Sequence, residues 1–101
     1  MSSLTERHHA FQELHQSGCF VIPNPWDAGS AKLFAAHGAK ALATSSAAHA
    51  FALGLPDMGH VTRDQAMTHA AEIVAATPLP VSGDLENGYG DNPEDVAETI
   101  G

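Results

Sequence analysis

The stretch LPVSGDLENGYGDNP (residues 79–93) carries the clearest structural signal of the sequence. Its first five residues, 79–83, form a short apolar run that ends in small residues, which is typical of a buried strand. A loop with Asp84, Glu86 and two glycines follows, and such glycines let the backbone approach a ligand closely. Pro93 suits the first turn of a helix. The stretch therefore predicts a strand, an acidic loop and a helix in succession.

The rest of the chain shows the same alternation of apolar runs and helical signals. Further strands are predicted at residues 19–22, which would bury Cys19, and at residues 40–44. Residues 45–61 lack a convincing helical period and are expected mainly to form a long functional loop. Four helices are predicted. The first covers residues 3–17 and begins with the capping box Ser3–Glu6, and the second runs from a cap at Asp27 or Ser30 to His37. The third runs from the capping box Thr62–Gln65 to the residue before Pro78, and the fourth follows Pro93 with Val96, Ala97 and Ile100 on its apolar side. This alternation predicts an α/β fold with a parallel sheet or barrel.

Length and charge limit the classes of function. The 101 residues allow one small domain, and 12 carboxylates against 4 Lys or Arg give a formal net charge of -8. This balance excludes a phosphate-backbone binder, so no nucleic-acid partner is expected. Eight of the 12 acidic residues lie between Asp64 and Glu98, which suits a metal cation. No signal peptide or membrane span is recognisable and one cysteine cannot build a disulfide framework, so a cytoplasmic protein without a membrane partner is expected.

Asp84 and Glu86 are candidate ligands of a metal ion. Their carboxylates converge where the chain leaves the strand and turns into a loop, so they can share one hard divalent cation, one directly and the other through water. An acidic, glycine-rich surface turn is the alternative that the spacing leaves open. The seven histidines show no recognised metal-ligand spacing with one another.

Two other segments contain residues that can bind a substrate. Thr44 to Ala47 directly follow a predicted strand, where small hydroxyl residues can offer side-chain and backbone donors to a carboxylate or phosphate. An ordinary polar turn explains them equally well. Asp57 presents a carboxylate from the turn at residues 54–57, a common turn sequence that carries little weight by itself.

Three stretches, taken in order, resemble the isocitrate lyase/phosphoenolpyruvate mutase superfamily. The first is PNPWDAGSA at residues 23–31, which leads to ALATSS at residues 41–46. The second is LGLPD at residues 53–57, and the third runs from LPV at residues 79–81 to DLENGYG at residues 84–90. The ordered set extends over nearly the whole chain.

The resemblance implies a modified (β/α)8 barrel of the TIM type, a fold that typically needs about 250 residues. On this expectation residues 1–101 are a partial barrel domain, the N-terminal portion of the fold. It contains about three β-strands with their helices, and the truncated chain ends within a helix. Active sites of such barrels lie at the carboxyl ends of the strands, where Asp57, the acidic loop and the segment after the second strand all fall.

The resemblance also implies roles for individual residues. Asp84 is expected to ligate the metal and to contact the substrate. Glu86, where many members of the superfamily have Asp, is expected to contact the metal through water. Asp57 and Glu86 are the expected catalytic residues, with Asp57 ordering the metal site. The expected substrate-binding residues are Trp26, Ser45, Ser46, Ala47 and Asp84.

The implied activity is that of a lyase or mutase that depends on Mg²⁺ or Mn²⁺. It would act on small 2-oxo or hydroxy carboxylic acids through a metal-stabilised pyruvate enolate. Cleavage of a carbon–carbon bond is favoured, and a phosphonomutase or hydrolase acting on a carbon–phosphorus bond is the alternative. The full-length parent is expected to be a homo-oligomer, and the 101-residue chain alone to be inactive. A different class also stays open, namely a small acidic module that binds a cation or a protein without catalysis.

Overall fold

The computed structural model describes residues 3–101, which form five helices and one parallel sheet of two short strands. The elements in chain order are α1 (Leu4–Leu14), α2 (Ala28–Ala36), β1 (Leu42–Ala43), α3 (Ser46–Ala52), α4 (Arg63–Ala76), β2 (Val81–Ser82) and α5 (Pro93–Ile100). The predicted α/β class is therefore confirmed. None of the helices in this described part is long and apolar enough to cross a membrane.

Strands β1 and β2 pair in parallel, with Leu42 opposite Val81. The N–H of Leu42 donates to the carbonyl of Pro80 at 2.9 Å, and the N–H of Thr44 donates to the carbonyl of Ser82 at 2.8 Å. Parallel strands need a crossover connection, which α3 and α4 supply. Because both strands run in the same direction, the residues that follow them meet at one edge of the sheet.

A small core lies between the sheet and the helices α2 and α4. Ala31, Leu42 and Ile73 are fully buried. The half-buried apolar residues that pack against them are Phe34, Ala39, Ala76, Leu79 and Val81. Because Ile73 belongs to α4 and Leu42 to β1, burial of these side chains away from water fixes the helix against the strand.

The helices begin where the sequence provides capping side chains. Ser3, Asp27 and Thr62 each accept from the backbone N–H three residues further on, and the side chain at that position reaches back to the cap. Asp27 is the cap of α2 and Ser30 is its partner. Pro93 occupies the first turn of α5. These four predictions are confirmed, since each depends on the chemistry of a single turn.

The predicted strand at residues 19–22 is wrong. The segment forms no strand, Cys19 is exposed rather than buried, and Val21 is 80% exposed. The N–H of Ala43 donates to the carbonyl of Pro23 at 3.1 Å, which ties the end of the segment to the sheet. An apolar run favours burial, but a strand also needs ladder partners along its length. The described sheet therefore has two strands instead of three.

The expectation of a long loop at residues 45–61 is also wrong in part, because Ser46–Ala52 form α3. Ser45 caps this helix by accepting from the N–H of Ala48 at 3.2 Å. The segment contains four alanines, the residue with the highest helix propensity. The buried side chains of α3 are those of Ala48 and Ala50, so its inner face shows no large apolar residues with a helical period.

The buried faces of two helices differ from their apolar periodicity. Helix α1 ends before the predicted residue 17, and its buried residue is Arg7, whose Nη1 donates to two backbone carbonyls at 2.9 and 3.3 Å. In α5 the buried residue is Thr99, whereas Ile100 of the predicted apolar side is 69% exposed. In both helices a polar side chain that finds carbonyl partners is buried in preference to an apolar one.

We expect Thr62→Ala to lower the free energy of unfolding by about 1 kcal/mol, because the N–H of Gln65 loses its side-chain acceptor. Thr68→Ala is the matched control, since Thr68 is exposed in the middle of α4 and alanine favours a helix there. Urea unfolding followed by circular dichroism measures both variants. Equal destabilisation by the two substitutions would contradict a capping role for Thr62.

Candidate active site

The ends of the two strands are joined by hydrogen bonds around Asp84. The N–H of Asp84 donates to Thr44 Oγ1 at 2.8 Å, and the N–H of Ser46 donates to Asp84 Oδ2 at 3.1 Å. Thr44 is buried and directly follows β1, whereas Asp84 lies just beyond β2. Two segments about 40 residues apart in sequence are thus held together at the edge where the sequence predicts a site.

Residues 83–92, the acidic loop, connect β2 to α5. The N–H of Glu86 donates to Asp84 Oδ1 at 3.2 Å, so both oxygens of Asp84 accept from backbone groups. Glu86 and Tyr89 have φ values of 51° and 63°, and Met58 in the loop before α4 has 69°. Residues with a side chain rarely adopt this left-handed region, and such strain clusters at functional sites. The backbone therefore points to the same region as the carboxylates.

A cleft of about 490 Å³ is lined by Ser46, Met58, Gly59, Asp84, Glu86 and Asn87. These residues come from the start of α3, from the loop before α4 and from the acidic loop. No Lys or Arg is among the described residues that line the cleft, so its electrostatic character is negative. The volume falls within the range of small-molecule sites.

Asp57 lies next to the cleft, directly before Met58. Its Oδ1 accepts from the N–H of Met58 at 2.8 Å. Burial raises the pKa of Tyr89 above its usual range, and the charges of Glu86, Asp84 and Asp57 raise it further. The charge of Asp57 therefore acts on the same phenol as the charges of Asp84 and Glu86 in the acidic loop.

The ionised form of Asp84 is stabilised mainly by the backbone. The N–H of Ser46 holds the pKa of the Asp84 carboxyl below its usual range, and partial burial opposes this shift. The N–H of Glu86 and the hydroxyl of Ser46 lower the pKa further. Asp84 is therefore an anion at neutral pH, as a metal-ligating carboxylate must be.

The segment predicted to bind substrate, Ser45 to Ala47, forms the start of α3. Ser45 is the N-cap, and Ser46 and Ala47 are the first two helical residues. Backbone N–H groups in the first turn of a helix have no intrahelical partner, so they are available to other acceptors. Ser46 uses its N–H for Asp84 and lines the cleft, so this segment and the acidic loop form one site.

Trp26 is not among the described residues that line the cleft. Its side chain is half exposed, and its carbonyl lies 2.8 Å from Nε2 of His69. His69 stacks on His49, with ring centroids 3.9 Å apart. Both histidines line a small cavity of about 10 Å³ together with Asp84. Trp26 is therefore connected to the site through the histidine pair.

The carboxylates in the lining of the cleft form a sparse set of possible metal ligands. The described residues contain no group of three or more His, Cys, Asp or Glu side chains that could hold a metal ion. Asp84 and Glu86 thus offer two carboxylates rather than a complete protein cage. Such a set fits Mg²⁺, which takes oxygen ligands, keeps several waters and is usually bound through one or two carboxylates.

A second groove, of about 290 Å³, lies between α1 and β2 and includes Arg7 and His8 in its lining. Its described lining residues include no Asp or Glu. A groove that contains an arginine and no carboxylate repels a cation. We therefore assign the candidate metal site to the cleft beside Asp84.

Three residues that border the site are not singled out by the sequence patterns: Met58, Asn87 and Tyr89. Asn87 and Tyr89 belong to the stretch DLENGYG, in which the sequence pattern assigns ligand chemistry only to the carboxylates. His49 follows Ser45 by four residues, which places it one turn along α3, and this spacing has meaning only once the helix is known. Burial lowers the pKa of His49, and the nearby His69 lowers it further.

Comparison with known proteins identifies the family. The sequence profile described as phosphoenolpyruvate phosphomutase matches residues 11–101. The chain belongs to this family. The resemblance to the isocitrate lyase/phosphoenolpyruvate mutase superfamily is thereby confirmed.

Relatives in this family are considerably longer than the chain. An uncharacterised protein of Mycobacterium tuberculosis is 38% identical over 94 residues, covering 90% of this chain and 35% of the relative. The 2-methylisocitrate lyase of Halalkalibacterium halodurans is 35% identical over 79 residues, covering 78% of this chain and 26% of the enzyme. A solved structure from Burkholderia cenocepacia, provisionally named a lyase/mutase, has a TM-score of 0.88 and 56% identity, covering 93% of this chain and 34% of that protein. The chain thus spans about a third or less of the length of these proteins.

We expect Ser46→Pro to raise the pKa of Asp84, because proline removes the N–H that donates to Asp84 Oδ2. Proline is tolerated at the first helical position, and Ser45 already has the extended backbone that must precede it. Ser46→Ala is the matched control, since it keeps the N–H and removes only the hydroxyl. Carboxyl ¹³C NMR titration of Asp84 measures the change.

The same variant has a consequence for stability. Because folding depresses the pKa of Asp84, its ionised form stabilises the folded state at neutral pH, and this contribution is lost as the pH falls through the folded-state pKa. Ser46→Pro should therefore show a smaller loss of stability on acidification than Ser46→Ala. A larger pKa rise in the alanine variant would contradict the dominant role of the backbone donor.

Proposed function

We propose that the full-length protein is a Mg²⁺-dependent lyase that cleaves a carbon–carbon bond in a small 2-oxo or hydroxy carboxylic acid and proceeds through a pyruvate enolate. The observation that carries this proposal is the meeting of Asp84, Glu86 and Ser46 in one negatively charged cleft beyond the carboxyl ends of β1 and β2. Membership of the phosphoenolpyruvate phosphomutase family and similarity to 2-methylisocitrate lyase support the reaction class. Mn²⁺ is proposed to substitute for Mg²⁺.

Asp84 and Glu86 are the residues proposed to hold the metal. When bound, the ion supplies a Lewis acid that stabilises negative charge on a substrate oxygen. The Asp84 carboxylate is already oriented by its two backbone donors, so it needs little rearrangement to act as a ligand. Glu86 is exposed in the lining of the cleft and is proposed to hold a water molecule that belongs to the metal site.

The start of α3 is proposed to bind the carboxylate of the substrate. The hydroxyl of Ser45 accepts from Ala48, and its own proton is free to be donated. The N–H of Ala47 is a proposed further donor, at a helix end whose partial positive charge favours an anion. The hydroxyl of Ser46, which lowers the pKa of Asp84, is proposed to turn its proton to the substrate instead. Trp26 is proposed to contact the substrate from the side of the histidine pair.

Asp57 is proposed to order the metal site from the loop before α4. Its bond to the N–H of Met58 fixes the carboxylate, and its charge adds to those of Asp84 and Glu86 at Tyr89. Several carboxylates around one cleft raise the local concentration of a divalent cation.

A phosphonomutase or hydrolase that acts on a carbon–phosphorus bond is the second candidate, favoured by the name of the matching family. Incubation of the full-length protein and Mg²⁺ with 2-methylisocitrate, or with the phosphonate isomer of phosphoenolpyruvate, distinguishes the two. Pyruvate release from the first substrate supports the lyase, and conversion of the phosphonate signal in ³¹P NMR into that of an enol phosphate or of free phosphate supports the mutase or the hydrolase. Binding of Mn²⁺ without either reaction would favour an acidic module that binds a cation without catalysis.

We also propose that residues 1–101 are the N-terminal part of a (β/α)8 barrel within a homo-oligomeric cytoplasmic parent. The parallel strands with intervening helices and the greater length of the relatives support this assignment. The exposure of apolar residues such as Val21, Leu33 and Ile100 also supports it, because the rest of a barrel would cover part of this surface. On this proposal the 101-residue chain alone is inactive.

We expect Asp84→Asn in the full-length protein to lower kcat/KM on the order of 100-fold or more and to weaken Mn²⁺ binding similarly, because even partners that only orient a ligand contribute 10–100-fold. Glu94→Gln is the matched control, since it removes one negative charge from an exposed position in the first turn of α5. Steady-state kinetics and titration calorimetry with MnCl2 measure both effects. Retained affinity and turnover in Asp84→Asn would contradict the assignment of the metal ligand.

We expect Cys19 to react with iodoacetamide about 10-fold more slowly in the native full-length protein than in the 101-residue chain, where it is exposed, because burial blocks access to the thiolate. Mass spectrometry of the peptide that contains Cys19 measures the rate. The denatured full-length protein is the control and should react without protection. Equal rates in the two native proteins would contradict the partial-barrel proposal.

A further inference from the structure

Arg63, the first residue of α4, reaches across to the acidic loop and to α5. Its Nε donates to Thr99 Oγ1 at 2.7 Å, and its Nη2 donates to the carbonyls of Asp95 and Tyr89 at 3.1 and 3.4 Å. Its Nη1 forms an ion pair with Glu98 Oε2 at 3.0 Å. One planar guanidinium thus joins three parts of the chain with donors in a fixed fork.

Thr99 completes this connection from the side of α5. The residue is buried, and its hydroxyl accepts from Arg63 and donates to the carbonyl of Gly88 at 2.5 Å, with the carbonyl of Asp95 at 3.1 Å as a second acceptor. Gly88 is itself buried, so loss of the hydroxyl would leave its carbonyl shielded from water and without this donor. Two consecutive carbonyls of the acidic loop, those of Gly88 and Tyr89, are therefore held by this pair of side chains.

The acidic loop has a left-handed backbone at Gly88 and Tyr89, the two residues whose carbonyls these side chains bind. Glu86, Gly88 and Tyr89 all lie in the left-handed region, with φ values of 51°, 86° and 63°. A Cβ added at Gly88 would lie 2.8 Å from Val96 of α5, so the loop packs directly against that helix. A loop that combines left-handed residues with close packing keeps its conformation only when surrounding contacts over-determine it.

We propose that Arg63 and Thr99 are positioning residues for the acidic loop. By holding its two consecutive carbonyls, they keep Asp84 and Glu86 in the conformation that presents both carboxylates to the cleft. Arg63 is the only Lys or Arg among residues 41–101. The effect on metal binding rests on the proposed function, whereas the effect on the conformation of the loop rests on the hydrogen bonds alone.

The sharpest test compares Thr99→Val with Thr99→Ser in the full-length protein. Valine keeps the shape of threonine without the hydroxyl, whereas serine keeps the hydroxyl that joins Arg63 to the loop. Hydrogen exchange with mass spectrometry should show the amides of the acidic loop exchanging about 10-fold faster in Thr99→Val and near the wild-type rate in Thr99→Ser. Calorimetry with MnCl2 should show a Kd about 10-fold higher in Thr99→Val, as for other residues that orient a metal ligand.

Arg63→Met provides an independent variant, since it keeps the apolar stem and removes every donor of the fork. It is expected to produce the same changes as Thr99→Val, and the double variant should be little worse than either one because both residues act in one connection. Glu98→Gln is the matched control. Its side chain is 71% exposed and contacts the same guanidinium without touching the loop, so loop exchange and Mn²⁺ affinity should be unchanged.

Wild-type exchange of the acidic loop in both Thr99→Val and Arg63→Met would overturn the proposal. An equal acceleration over all helices would also overturn it, because that pattern reflects a general loss of stability rather than release of one loop. A wild-type protein that binds no Mn²⁺ would overturn the proposed function, and the exchange rates would still decide the positioning role. Should Thr99→Val fail to fold, Arg63→Met and Glu98→Gln provide the same comparison.

Discussion

The hydrogen bonds that join Thr44, Asp84 and Ser46 are the contacts on which the rest of the site depends. Each strand is only two residues long, so the ladder itself holds little of the structure. The bonds from the Asp84 N–H to Thr44 Oγ1 and from the Ser46 N–H to Asp84 Oδ2 continue the pairing beyond the strands. They align the start of α3 with the start of the acidic loop, and both segments contribute residues to the lining of the cleft. The Asp84 carboxylate thus has a structural role in addition to its proposed role as a metal ligand.

Three carboxylates around one cleft repel one another, and the described residues compensate this repulsion with backbone dipoles. Asp84 accepts from the N–H groups of Ser46 and Glu86, and Asp57 accepts from the N–H of the residue that follows it. At Asp84 these dipoles stabilise the charge without neutralising it, so the cleft still attracts a cation. A salt bridge would have cancelled the charge, but Arg63 is directed to backbone carbonyls and to an exposed glutamate instead.

The parts of the structure that the sequence predicts are those that depend on neighbouring residues. The caps at Ser3, Asp27 and Thr62 are predicted from residues within a single helical turn. The strands predicted at residues 40–44 and 79–83 are confirmed, although each is shorter than predicted. The candidate site residues in DLENGYG are predicted from the sequence of a single loop. Parallel pairing then brings that loop to the segment after β1, which is why the sequence could place two distant candidate segments at one edge.

The parts that the sequence does not predict depend on partners distant in the chain. The burial of Thr99 instead of Ile100 follows from carbonyls of the acidic loop that no helical periodicity reveals. Arg7 is buried for the same reason, since its acceptors lie 67 and 72 residues away. The run at residues 19–22 is the opposite case. Its apolar character favours burial but does not specify a neighbouring strand, and the segment forms no strand. The left-handed backbone of Met58 and Tyr89 is also not predicted, since residues with a side chain rarely adopt positive φ values and neither residue type favours them.

The crossover between the strands has a second role beyond making them parallel. Ser46 is the first residue of α3 and Arg63 is the first residue of α4, and both contact the acidic loop, one near its beginning and the other near its end. The core places α4 against β1 through Ile73 and Leu42, so the same burial that stabilises the fold also sets where the guanidinium of Arg63 can reach. The geometry of the candidate ligands is therefore coupled to the packing of α4, a helix that contributes no residue to the lining of the cleft. It follows that a core substitution that shifts α4 along the sheet alters the acidic loop even when every carboxylate is retained.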